Sequence, residues 1–451
     1  MTKEILEQKL PIRFERKANT KWSNGVKEWH IQNASAGLYT LDVEHISDEL
    51  VNAHNNPTNS ESVASRYRKD LCLHKCPACF NEQSMVYSKE KRDLEGKLIQ
   101  NSTQQLNKML NLEETLGVID QAIEIAKKEG HDFKSVKFLG PGELLMNPQL
   151  FKIIEEYHKR GIQLNIFTKA ALLGEDSLAQ KYHKMNAKNL VEKLANYSNV
   201  GLLVNFQSFD EKLQDTLVTS TDENGNIAGL QGYSKIREKA LVNLFNSKFY
   251  EAGKTNRICI INAPIVPENI EESFDIYKFF VERGTPIVMT PSMMSGKGCG
   301  QYKRQEKTLT AKQWHDKLVE LYANIYAYNV KNGVQTEEQI KHEGIASYVG
   351  AEPCNQVATG LYLRANGIVQ MCPGKFDKET VYANVLDTPL NEIWDNSPNK
   401  KMGITNPKNL INNKCPAKDG LAFPIDFYDR VMERYKEILK SESNLIFSTA
   451  K

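Results

Sequence analysis

From about residue 66 to 305, short apolar runs alternate with amphipathic stretches of helical period, the pattern of consecutive βα units feeding a parallel sheet. The clearest helix is 112–129. There Leu112, Leu116, Ile119, Ile123 and Ala126 share one face, Asn111 with Glu114 makes a capping-box start, and Gly130 ends the run. Candidate strands fall at 136–139, 162–167, 200–206, 258–261 and 287–289, and the charged stretch SRYRKDL just before residue 72 supplies a sixth. Their sum is an α/β fold, an open (β/α)6 partial barrel of TIM type, with function expected at the C-terminal ends of its strands.

Outside this stretch the pattern changes. Residues 1–65 combine a basic, aromatic-bearing start, the strand-like alternation AGLYTLDVEHI and the polar linker NAHNNPTNSES. No motif falls there, and the segment reads as a cap over one end of the barrel or as a substrate-recruiting appendage. A connecting segment, 306–350, carries a helix at 311–332. In 351–420, a small α+β unit, LYLR and IVQM make a hairpin around Ala365-Asn366-Gly367, and YANVLDTPLNEIWDNS follows. The last segment, 421–451, holds a helix at 426–440 whose Tyr428, Val431, Met432, Tyr435 and Leu439 form an apolar face that should dock on the body.

Composition removes several function classes. The 58 basic and 56 acidic residues leave a net charge of +2, which gives no global electrostatic reason to invoke nucleic acid. The N-terminus has no apolar signal region and no uninterrupted apolar stretch approaches membrane-spanning length, so a cytoplasmic protein is expected. Eight cysteines are then too sparse for a disulfide scaffold and read as metal ligands or reactive thiols.

Three of them, Cys72, Cys76 and Cys79, stand in LCLHKCPACF with CxxxCxxC spacing. Soft thiolates on one short loop can bind three irons of a cubane and leave the fourth open. A closed zinc site would need a fourth ligand, and the local candidate, His74, sits where it would crowd the first two thiols. Buried or partly disulfide-bonded cysteines are the alternative. After the strand 136–139, Gly140-Pro141-Gly142-Glu143 offers backbone amides and a carboxylate to a zwitterionic amino acid, although such a turn is also common for structural reasons. In the C-terminal hairpin, Cys354 and Cys372 stand at the outer ends, which suggests a further metal site or a single disulfide. Cys415 follows in NKCPAKDG, and Cys299 lies in the glycine-rich SGKGCG, whose backbone would let a thiolate reach a metal; Cys299 is also a candidate hydrogen-atom donor. Cys259, in RICII, reads as a buried small hydrophobe, or as a thiol facing the barrel interior able to donate a hydrogen atom. The polar stretch TSTDENGNIAGLQG, at 219–232, is either a loop that moves over a substrate or a passive excursion.

The order of these features resembles the radical SAM superfamily, whose CxxxCxxC loop holds a [4Fe-4S] cluster that binds and cleaves S-adenosyl-L-methionine (SAM). Gly140, Gly142 and Glu143 resemble its GGE motif, which grips the methionyl amino group. Thr168 opens the stretch where the family often has TNGxL. NFQSFD, with Asn205 and Ser208, and Asn262 in NAPIVPENIEE resemble the polar ends of its fourth and fifth strands. The family's aromatic residue before the third cysteine is here Ala78, with Phe80 one position after that cysteine; both are adenine-contact candidates. The C-terminal spacing C-x12-G-x4-C with NV…LNEIW resembles SPASM and twitch domains. This implies one auxiliary [4Fe-4S] cluster on Cys354, Cys372 and Cys415, with Cys299 the candidate fourth ligand. The resemblance implies reductive cleavage of SAM to a 5′-deoxyadenosyl radical, a flavodoxin or ferredoxin as electron donor, and oxidation or cross-linking of a peptide or protein. Oxidation of a small metabolite, or a structural role for the metal without catalysis, are the alternatives.

Overall fold

The computed structural model describes residues 3–10, 37–56, 71–80, 91–92, 98–99, 108–221, 224–251, 255–292, 296–298, 309–343, 345, 359–374, 380–404 and 426–449. Six parallel strands form the body: β1 (Thr40–Glu44), β2 (Ser135–Gly140), β3 (Gln163–Thr168), β4 (Val200–Asn205), β5 (Ile258–Ile265) and β6 (Ile287–Pro291). They lie side by side in chain order, as successive βα units require. Five of the six expected strands fall where the apolar runs placed them. The first does not. It is TLDVE, inside the segment read as an extension, while residues 57–70 lie outside the described residues.

The remaining N-terminal residues described add two helices, α1 (Lys3–Lys9) and a short one at Asp48–Asn55. Leu6 of α1 is buried, as is Leu10 just beyond it, and the Arg283 side chain donates to the Leu10 carbonyl.

Alternation along each strand divides the residues between two faces. Leu41, Val43, Val136, Phe138, Leu164 and Ile166 point outward into the main core, where helices cover the sheet. Among these helices are α2 (Leu112–Lys128), α3 (Leu150–Lys159), α4 (Tyr233–Phe245) and α5 (Ile270–Val281). The capping box of α2 is present, with the Asn111 side chain accepting from the Glu114 amide at 2.8 Å and the Glu114 carboxylate accepting from the Asn111 amide at 3.0 Å.

The opposite face lines the barrel interior and is itself divided. Under β4, β5 and β6 it is apolar, with Leu203, Cys259, Ile261 and Val288 forming a small cluster. Under β1 and β2 it is polar and buried: Asp42 pairs with Lys137 at 3.0 Å.

The sheet does not end at β1. β7 (Gly360–Leu363) pairs parallel to it, and β8 (Ile368–Gln370) and β9 (Val381–Asn384) continue antiparallel, giving nine strands in one sheet. The expected hairpin is therefore an extension of the barrel sheet, and its turn residue Gly367 has the left-handed φ of +80° that a glycine adopts freely. Glu44, at the end of β1, fixes the join. It accepts from the Tyr362 hydroxyl at 2.6 Å and the Ala365 amide at 2.9 Å, with Arg364 at 3.5 Å.

Two more helices close the far side. α6 (Ala311–Lys331) carries Tyr322, whose hydroxyl donates to the Met289 carbonyl of β6 at 2.9 Å. Between α6 and the C-terminus, α7 (Leu390–Asn396) packs near α2. The final helix, α8 (Phe427–Thr449), meets α6, the Tyr326 and Tyr435 rings lying 4.2 Å apart and Arg434 meeting Glu320 at 2.6 Å; of the expected apolar face Val431 and Tyr435 are buried, while Leu439 is exposed.

A second join sits beneath α2. The Glu129 carboxylate accepts from Trp394 of α7 at 2.8 Å, Lys400 at 2.9 Å, the Leu38 amide at 3.1 Å and His131 at 3.2 Å. Burial works against its charge, but the hydrogen bonds from His131, Lys400, Trp394 and Leu38 prevail and hold its pKa down at about 2. A carboxylate depressed in this way stabilises the fold above its ordinary range and loses that contribution as pH falls towards about 2. Glu129→Gln should lower unfolding free energy by about 2 kcal/mol at neutral pH. Urea titrations of both proteins should show the difference closing as the solution is acidified.

Candidate functional site

At the C-terminal ends of the strands lies a cavity of about 450 Å³. Cys72, Cys76 and Cys79 all line it, with Ala78 and Phe80 beside them. Their loop carries no helix or strand of its own, and three backbone hydrogen bonds from other parts of the barrel seat it. The Glu143 amide donates to the Leu71 carbonyl at 2.7 Å, the Lys75 amide to the Val218 carbonyl at 2.9 Å, and the Lys297 amide to the Cys79 carbonyl at 2.8 Å. Two glycines permit this closeness. Gly142 has φ +82° and a Cβ there would lie 2.0 Å from the Leu71 oxygen; Gly296 has φ +54° and a Cβ would lie 2.5 Å from the Phe80 oxygen.

The excursion 219–232 is thereby placed. It contains a two-stranded hairpin, Ser220–Thr221 with Ile227–Ala228, and starts from the Val218 carbonyl that holds Lys75.

Gly142, Glu143, Thr168 and Lys169 line the same cavity, with Glu143 held against Leu71 of the cysteine loop. Glu143 is buried; one carboxylate oxygen accepts from the Lys169 amide at 2.9 Å and the other has no protein partner. Burial pushes its pKa up to about 7, against the opposing hydrogen bond from Thr168. Burial pushes the Cys72 thiol up as well, with Cys76 adding like charge. Burial brings His74 down to about 3, and Lys169 and Lys75 press the same way.

Asn205 and Gln207 form a third side. Their amide nitrogens donate to consecutive carbonyls, Ala263 at 3.3 Å and Pro264 at 3.4 Å, and their buried carbonyl oxygens have no partner.

Several expected residues lie elsewhere. Ser208 is fully buried outside the cavity wall, its hydroxyl accepting from the Asp210 amide at 2.9 Å. Asn262 turns outward and donates to Ser273 of α5 at 3.3 Å. Gly140 ends β2 without lining the cavity. Strand alternation carries the signal for these corrections: 203, 205 and 207 share the inner face, as do 259, 261 and 263, so Gln207 belongs with Asn205 while Asn262 does not. Cys259 faces the barrel interior in the apolar cluster, packed with Leu203, Ile261, Phe167 and Ala263, each of which lines the cavity. Cys372 is buried in the C-terminal unit, its sulfur accepting from the Gly374 amide at 3.3 Å. Cys299, Cys354 and Cys415 lie outside the described residues.

The fold is that of the radical SAM enzymes, a partial barrel extended by a C-terminal unit of SPASM type. Among solved structures, native anSMEcpe with bound AdoMet is 13% identical over 91% of this chain and 100% of its own, at a TM-score of 0.51. The same protein with bound AdoMet and Kp18Cys peptide is 14% identical over 91% of this chain and 99% of its own, at 0.51. Streptococcus suis SuiB bound to the precursor peptide SuiA is 15% identical over 83% of this chain and 68% of its own, at 0.43. No protein-family model matches the chain, and no curated protein matches its sequence. No helix among the described residues is long and apolar enough to cross a membrane.

Gly142 and Gly130 allow a controlled test of how the cysteine loop is seated. Both have positive φ, +82° and +83°, but a Cβ at Gly130 meets nothing within 4 Å. Gly130→Ala should cost about 1 kcal/mol of backbone strain and leave the loop alone. Gly142→Ala should displace Leu71 and speed hydrogen–deuterium exchange at the amides of Lys75, Cys79 and Glu143.

Proposed function

We propose that the chain is a radical SAM enzyme that oxidatively modifies or cross-links a peptide or protein. The observation that carries the proposal is the convergence of Cys72, Cys76, Cys79 and Glu143 on one cavity at the C-terminal ends of a parallel barrel.

The residues fit a cluster and its nucleoside. Three thiols on one loop are a soft donor set. Among the described residues, no three His, Cys, Asp or Glu side chains converge closely enough to enclose a single ion. A cubane instead asks for thiols spread over separate irons. The unsatisfied Glu143 oxygen suits an ammonium, and the two open carbonyls of Asn205 and Gln207 suit neighbouring hydroxyl or amino donors. When bound, the cluster and SAM would supply reductive cleavage of a sulfonium and abstraction of a hydrogen atom.

The protein's own share is positioning and exclusion. Thr168 and the Lys169 amide orient Glu143, whose remaining oxygen would hold the amino group of SAM. Ala78, Phe80, Leu139 and Ile261 would flank the nucleoside and keep water from it. Cys372, with Cys354, Cys415 and Cys299, would hold an auxiliary cluster that accepts the electron left on the substrate. A flavodoxin or ferredoxin would deliver the electron that starts the cycle. The fold shared with structures that hold AdoMet and a peptide supports a peptide substrate.

The test is iron content and 5′-deoxyadenosine after anaerobic reconstitution with SAM and dithionite, for wild type and for the variant with Cys72, Cys76 and Cys79 all changed to Ala. About eight irons and deoxyadenosine are expected in wild type, and about four irons with no deoxyadenosine in the variant. Zinc without deoxyadenosine in the wild type would refute the proposal.

A further inference from the structure

His74 stands in the cysteine loop, 5% exposed, with no protein partner for Nδ1. Its ring is fixed from behind. Tyr233, fully buried at the start of α4, meets it edge-on with centroids 4.8 Å apart and an interplanar angle of 76°. One turn along α4, Arg237 is buried in its turn, 3.7 Å from the Phe206 ring centroid and donating to the Ser208 carbonyl and to Gln214. His74 itself lines the cavity. A buried polar atom without a partner carries its full desolvation penalty, and an occupant of the cavity that His74 lines can supply that partner.

We propose that His74 donates a hydrogen bond from Nδ1 to a sulfur of the cluster on Cys72, Cys76 and Cys79, and thereby sets that cluster's reduction potential. The proposal rests on the functional reading above. Cluster sulfides and thiolates only accept hydrogen bonds, so the tautomer carrying the proton on Nδ1 is the one that finds a partner. A donor to cluster sulfur favours the reduced, more negative state and raises the potential. Tyr233 is the positioning residue: its edge contact keeps the imidazole from rotating away.

The test is a dithionite titration followed by electron paramagnetic resonance on the reconstituted full chain, reading the signal that changes when SAM is added. His74→Phe keeps a ring against Tyr233 but has no donor. Its midpoint should shift to more negative potential, with iron content and circular dichroism unchanged. Wild-type protein labelled with ¹⁵N-histidine should show a histidine nitrogen coupled to the reduced cluster, and His74→Phe should lack it. An unchanged midpoint in a fully loaded His74→Phe overturns the proposal. If that variant takes up no iron, the labelled wild type decides alone, and absence of a coupled histidine nitrogen overturns the proposal. A wild type that binds no iron refutes the functional reading itself, and this inference falls with it.

Discussion

Backbone hydrogen bonding to the cysteine loop is the constraint on which the rest of the site depends. Residues 71–80 make no helix or sheet ladder of their own, so their positions are set by donors and acceptors brought from elsewhere. Leu71, Lys75 and Cys79 each find a partner on a different segment: the end of β2, the excursion after β4, and the residues following β6. The three thiols therefore keep their place only while the whole barrel is assembled. Two glycines let neighbouring backbone approach the loop too closely for any side chain to intervene.

The barrel interior follows a second rule, a division between apolar and charged halves. Leu203 and Ile261 line the cavity, and with Cys259 and Val288 they form an apolar cluster that offers water nothing. On the other side the buried Asp42, Glu44 and Lys137 are tolerated only because each is paired. This polar half runs on into the C-terminal unit. Arg364 donates to Gln370 at 2.6 Å, and Gln370 donates to the Cys372 carbonyl at 2.7 Å, so a buried chain leads from Glu44 at the rim to the cysteine.

Much of the fold was legible in the sequence, and the exceptions have physical reasons. Apolar runs such as Val200–Asn205 announce buried strands because both their faces are covered, and the Asn111 cap marks where α2 begins. In TLDVE the alternation was visible but its place was not. Two of its five residues are carboxylic acids, and their burial is explained only by Lys137, Tyr362 and Arg364, which lie far away in the chain. At the site, the cysteines are legible from their spacing and Glu143 from its glycine-rich turn, whereas the likeness of NFQSFD and NAPIVPENIEE to strand ends does not say which of their residues face inward, and parity turns Ser208 and Asn262 away. Gln207 needed only that parity. The orientation of His74 depends on Tyr233, a contact no local pattern encodes.

The parallel pairing of β1 with β7 also bears on how the chain is made. Among the described strands of the sheet β1 comes first in the chain, and Tyr362, which covers Glu44, follows it by 318 residues. At about 5–20 residues per second, that outer edge waits roughly 15–65 s on the ribosome with its amides and carbonyls bare. An uncovered strand edge is a template for pairing with another chain, and here it also carries carboxylates whose counterpart groups do not yet exist. Release of a chain cut short before residue 360 would leave the same edge uncovered, so the C-terminal unit, in completing the sheet, also closes an edge to which another chain could pair.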